Sequence, residues 1–207
     1  MINENQINMH TNSKKKKRLA TNTMSSVNNT NISITKRDGR KEPLDINKLH
    51  FVVEEACEGL PGVSASQIEM NANIQFYDGM TTKDIQNVLI RSANDLISLE
   101  TPNYQFAASR LLLYDVRKEA HGQYEYIPLL KLILRNIKLG VYDRGIVEKY
   151  TKSEIKRLNT WIRRERDLKF TYAGLRQVVD KYLVQDRSSG ALYETPQDMY
   201  MMISATL

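Results

Sequence analysis

At Asp45 the apolar spacing of this chain changes from strict alternation to a helical period, and it stays helical over most of the remaining length. Upstream, Ile32 and Ile34 alternate with Ser33 and Thr35, Lys36-Arg-Asp-Gly39 supplies a turn, and Lys41 to Leu44 leads back as a second extended run. A two-stranded hairpin is marginal alone, so this one must lie on apolar surface. Downstream, Asp45 is an N-cap for a helix over roughly 46–58 with Ile46, Leu49, Val53 and Ala56 on one face, closed by Gly59 and Pro61. Ser64-Ala-Ser-Gln67 reads as a capping box for a second helix, with the Gln67 side chain reaching back. Thr81 or Thr82 opens a third with Ile85, Val88, Leu89, Ala93, Leu96 and Ile97 in register. Thr101-Pro102 predicts an N-cap and first helical position for a fourth, running through Tyr104, Ala108, Leu111, Leu112 and Val116 to about Lys118.

His121-Gly-Gln interrupts that series, which predicts a unit over 31–121 with its own core and a boundary near 122–127. Residues 122–207 are again mostly helical. Leu130, Ile133 and Ile137 share a face; Thr151–Glu154 is a capping box heading Ile155, Leu158 and Ile162; and residues 172 to about 182 form another helix. A turn-centred hairpin over 183–193 comes next, and Thr195-Pro196 starts a last helix. Met199, Tyr200, Met202 and Ile203 of that helix predict an apolar face with little in the chain to cover it, as if the chain were truncated or split at Leu207. The arginines at 157, 163, 164 and 166, interleaved with Glu165 and Asp167, read as a solvated helix face.

Charge is concentrated at one end. Of the net +6, +4 falls within residues 1–30, where Lys14–Arg18 face Glu4 alone. That segment is rich in Asn, Ser and Thr, which predicts a disordered basic tail able to hold nucleic acid weakly through phosphate charge. The other residues are nearly neutral. No apolar run is long enough to span a bilayer and none follows the basic run as a signal core would, so a soluble cytoplasmic protein is expected. One cysteine, Cys57, and three scattered histidines leave no set of metal ligands, and no catalytic constellation is visible.

The chemically suggestive stretch is the first hairpin with the start of the first helix. Lys36, Arg37, Arg40, Lys41 and Lys48 gather cations near a helix N-terminus, where free amides also favour anions, while Glu42 and Asp45 could accept from a base or ribose. Neither of the two common glycine-rich phosphate loops occurs in the sequence.

The run Ile34-Thr-Lys-Arg-Asp-Gly-Arg-Lys-Glu-Pro-Leu-Asp-Ile-Asn-Lys-Leu-His50 resembles the start of an ATP-cone, the allosteric nucleotide domain of many ribonucleotide reductase large subunits. The likeness continues through Ile74–Met80 with Thr82, Asp95–Ser98, Pro102–Arg110 and Arg117-Lys118. Beyond it, His121–Glu125, Tyr172-Ala173, Lys181–Arg187, Gly190 and Tyr193-Glu194 resemble the helical lead-in to the barrel of aerobic class I reductases. The resemblance implies a mainly α fold: a small hairpin on a four-helix cone, then the helical N-terminal region of the catalytic domain with one further hairpin. It also implies an ATP or dATP effector, with magnesium, at specific positions. Lys36, Arg37, Lys48 and Lys118 would hold the triphosphate, Ile34, Glu42 and Asp45 would lie by the base and ribose, and Thr82 would contact the ligand from helix three.

Two positions depart from the bacterial cones, where histidines stand in place of Gln86 and Asp115. Inhibition by dATP is therefore less expected than ATP binding. Implied partners are the rest of the large subunit and a radical-generating small subunit. One cysteine cannot supply the radical and redox-active cysteines this chemistry needs, so the chain alone is predicted inactive. Two alternatives stand beside this. A free-standing nucleotide-sensing regulator would use the cone with the basic tail, although cone-type repressors carry a four-cysteine zinc ribbon absent here. A helical adaptor would bind no nucleotide.

Overall fold

A computed structural model of the chain describes residues 32–207. The tail over 1–30 lies outside the described residues. The fold is mainly α, with a small two-stranded antiparallel sheet.

Strands β1 (Ser33–Thr35) and β2 (Lys41–Pro43) pair with Ile34 opposite Glu42. Three-residue strands cannot hold a sheet by themselves, and β1 has a second partner. Its outer edge accepts from Gly79 at Ser33 O and donates from Thr35 N to Met80 O, both at 2.8 Å, while Asp78 accepts the Ser33 amide. The hairpin is thus fastened to the loop entering α3 (Thr82–Asp95), whose first turn is closed by a reciprocal Thr81–Asp84 capping box. Gly39 makes the hairpin turn possible with φ near +83°, a conformation other residues rarely adopt.

Helix α1 (Ile46–Cys57) is capped by Asp45 through the Lys48 amide, and α2 (Ala65–Asn73) by Ser64 through the Gln67 amide. The expected return bond from Gln67 is replaced by a relay. Tyr104 Oη accepts the Ser64 amide and donates to Gln67 Oε1, closing the box through a tyrosine from 37 residues away. Helix α4 (Tyr104–His121) starts later than the sequence predicts, because the Thr101 hydroxyl donates to the Leu96 carbonyl and closes the end of α3 instead of capping α4. Its Ala107, Ala108, Leu111, Leu113 and Val116 are almost wholly buried.

The remaining helices are α5 (Leu129–Lys138), α6 (Gly145–Lys149), α7 (Lys152–Asn159), α8 (Tyr172–Lys181) and α9 (Pro196–Thr206), with a 3-10 turn at Arg164–Lys169. A single antiparallel bridge, Gln185 to Leu192, forms the second hairpin. The apolar core of α1 to α4 does not stop at residue 121; it continues through Leu175, Val178, Val179, Leu183, Leu192 and Met199. A second cluster joins α5, α6 and α7 to Ala205 of α9. The segment 122–127 folds back on α4, with Tyr124 and Tyr126 over the Arg117 guanidinium at 4.0 and 4.9 Å.

Two expectations are corrected here. Arg164 and Asp167 do not lie on a solvated face: Asp167 is buried and accepts from Gln197, and Arg164 reaches Asp198 at 2.6 Å. The last helix is also better covered than its sequence suggests. Met199 is buried in the main core and Met202 packs on the second cluster, leaving Tyr200 and Ile203 exposed.

Asp198 ties the end of α4 to the start of α9. Its side chain has 0% exposure and meets His121 Nε2 at 3.0 Å as well as Arg164. His121 Nδ1 accepts the Ile127 amide, so Nε2 carries the ring proton and donates it to Asp198. Burial alone would raise the Asp198 pKa, but the His121 hydrogen bond and the Arg164 charge hold it below the ordinary carboxylate range. Removing one partner of a buried cluster strands the others, so Asp198→Ala should cost about 3–5 kcal/mol in urea unfolding at neutral pH. Because the folded carboxyl is the more acidic one, its contribution is present at neutral pH and should fade as pH falls below about 4; the alanine variant should lack that part of the acid slope.

Candidate functional site

The hairpin, α1, α3 and one residue of α4 enclose a cleft of about 140 Å³. Its floor is apolar: Ile34, Leu44, Leu49, Val52, Ile85 and Leu89. Ile34 is only 5% exposed, an inward position that results from strand alternation once β1 is fastened to the α3 loop. Polar groups ring this floor. Lys36 and Glu42 come from the hairpin, Asp45 and Lys48 from the first turn of α1, Thr82 from the first turn of α3, and Lys118 from the last turn of α4.

Seven of the eight residues that the resemblance assigns to the nucleotide therefore line one cleft: Ile34, Lys36, Glu42, Asp45, Lys48, Thr82 and Lys118. Arg37 does not. Its guanidinium is held 3.0 Å from Asp115 on α4. Arg40 and Lys41 of the cation cluster also stay outside the cleft, Arg40 being paired with Asp38. Gln86 also lines the cleft, with its amide nitrogen donating to the Leu111 carbonyl at 2.8 Å. The apolar floor was legible only as core periodicity; nothing in the spacing of Leu49, Ile85 and Leu89 distinguishes a cleft wall from a helix interface.

The cations are largely matched within the chain. Lys36 pairs with Glu42 at 2.8 Å and Lys48 with Asp45 at 3.4 Å. The Lys48 amide, donated to the Asp45 carboxylate, keeps the Asp45 pKa below its ordinary value. Among the described residues, Lys118 makes no ion pair; burial and then the nearby Arg37 charge lower its pKa. A half-buried ammonium without an ion-pair contact, in a cleft that also holds the start of a helix, favours an anionic ligand.

An apolar slot rimmed by lysines suits a flat base carrying phosphates. Residues 32–119 match the ATP cone domain, and residues 168–207 match the all-alpha domain of ribonucleotide reductase. The chain is 43% identical over 179 residues to ribonucleoside-diphosphate reductase 1 subunit alpha of Escherichia coli, covering 86% of this chain and 24% of that protein. It is 40% identical over 178 residues to the corresponding alpha subunit of Enterobacteria phage T4, covering 85% of this chain and 23% of that one. The chain belongs with the ribonucleoside-diphosphate reductase alpha subunits. It spans about a quarter of the length of these relatives. The cleft lies wholly within the residues that match the ATP cone.

No helix among the described residues is long and apolar enough to cross a membrane. Cys57 of the cone is partly buried, and burial pushes its thiol up to about 11, far from the pKa of a working nucleophile.

The strain on Lys118 is testable separately from any ligand. Its charged form is disfavoured by the fold, so Lys118→Met, which keeps most of the aliphatic stem, should leave the melting temperature unchanged or raise it. A clear fall would mean that the ammonium is a structural partner rather than one kept for a ligand.

Proposed function

We propose that the cleft binds ATP or dATP as an allosteric effector of ribonucleoside-diphosphate reduction, and that residues 31–121 act as the regulatory domain. The observation that carries this reading is the convergence of Lys36, Lys48, Lys118 and the α3 N-terminus on one apolar slot. Lys36, Lys48 and Lys118 hold the phosphates, and Arg37 joins them once it leaves Asp115. Ile34 packs on the base, Glu42 and Asp45 accept from base or ribose, and Thr82 donates its hydroxyl at the helix start. Magnesium accompanies the triphosphate and offsets part of its charge.

Reduction itself is assigned to cysteines outside this chain, whose one cysteine sits in the cone. The chain acts with the rest of the large subunit and with a radical-generating small subunit, in the cytoplasm. Gln86, neutral and already bonded to Leu111, favours ATP binding over inhibition by dATP.

Isothermal titration calorimetry of the chain with ATP and dATP tests the effector site. Lys36→Ala or Lys118→Ala should weaken binding by about 1.5–3 kcal/mol, roughly ten- to a hundredfold in Kd; wild-type affinity retained in both variants would sink the assignment. Co-expression with a polypeptide carrying the rest of an alpha subunit tests the partnership. The two pieces should co-purify and, with the small subunit, reduce a ribonucleoside diphosphate, whereas the chain by itself should not.

A further inference from the structure

Beside the cleft lies an anion that nucleotide binding does not use. Asp115 sits one turn before Lys118 on α4, its side chain is 13% exposed, and its Oδ1 is 3.0 Å from Arg37 Nη2. The charged groups around it are Arg37 from the hairpin turn, Lys83 from α3, and Lys118 and Glu119 from α4; Lys83 is itself paired with Glu119 at 3.2 Å. Burial pushes the Asp115 carboxyl above the ordinary range, which marks how poorly this site solvates the anion.

Asp115 differs in kind from the other carboxylates of the site. Glu42 and Asp45 line the cleft, where each can exchange its lysine for a hydroxyl donor of a bound sugar. Asp115 is outside the lining and has no such exchange open to it. When Arg37 turns toward a phosphate, the Asp115 carboxylate loses its ion-pair partner; of the two other cations near it, Lys83 is already paired with Glu119, and Lys118 is one the phosphates also require. Every charge the ligand takes from this corner is therefore taken from Asp115.

We propose that Asp115 is an intramolecular competitor of the effector triphosphate, which holds Arg37 out of the cleft and sets the affinity of the site. This rests on the nucleotide reading above. The pair joins the hairpin turn to α4 across 78 residues, so the same exchange that admits the triphosphate releases the turn from the helix. Effector binding and attachment of the hairpin turn to α4 are thereby coupled through one arginine, while the strands stay fastened to residues 79–80.

Calorimetry of the full chain with magnesium-ATP tests this in four proteins: wild type, Asp115→Asn, Arg37→Ala and the double variant. Asparagine keeps the shape and removes the charge, so Kd should fall about five- to tenfold, and the gain should shrink to about twofold or less when Arg37 is absent. Circular dichroism melting checks that each variant is folded, and Asp115→Ser carries the same expectation should the asparagine variant fail to fold. A wild type that binds while Asp115→Asn binds no tighter overturns the competitor role alone, as does an equal gain in both arginine backgrounds. Absence of binding in all four overturns the nucleotide reading together with it.

Discussion

Helix α4 is the member against which the rest is assembled, because almost no side of it is left to water. Its small and branched residues, Ala107, Ala108, Leu111, Leu113 and Val116, let α1 and α3 pack on one part of its surface and α8 on another. A helix apolar on so many sides is stable only when fully surrounded. Both halves of the chain are therefore needed to bury it, and its last residue, His121, is locked to α9 through Asp198. The residues that face the cleft inherit this rigidity: Lys118 has its position because α4 cannot turn.

Upon that frame the cleft is built from short-range devices. The hairpin is too small to persist alone and is held in place by the backbone of residues 79–80, which brings β1 alongside the first turn of α3. Two helix starts and both strands of the hairpin thus face a common slot. The charge arrangement is close to self-neutralising, with Lys36, Arg37 and Lys48 each matched to a carboxylate of the chain. A highly charged ligand does not find bare cations here; it trades partners with them.

The sequence disclosed what depends on neighbours along the chain. The switch of period at Asp45, the capping signals at Thr81, Thr151 and Thr195, and the hairpin turn at Gly39 are local, and each stands where its residues place it. The resemblance in turn named residues that the fold gathers into one cleft. What stayed hidden was settled by distant partners. The Thr101 hydroxyl is used by α3 rather than α4, Arg164 is drawn inward by Asp198, and Arg37 is diverted by Asp115. None of these has a spacing rule, since each depends on what the folded chain happens to set opposite it.

The tyrosine relay at the head of α2 has a consequence for how the molecule opens. Ordinarily a capped helix can fray and re-form on its own, because donor and acceptor lie within one turn. Here the Ser64 amide and the Gln67 side chain are joined only through Tyr104, a residue of α4. Exchange of that amide with solvent thus requires the Tyr104 side chain to move away, so the opening of the α2 start is tied to the first residue of α4.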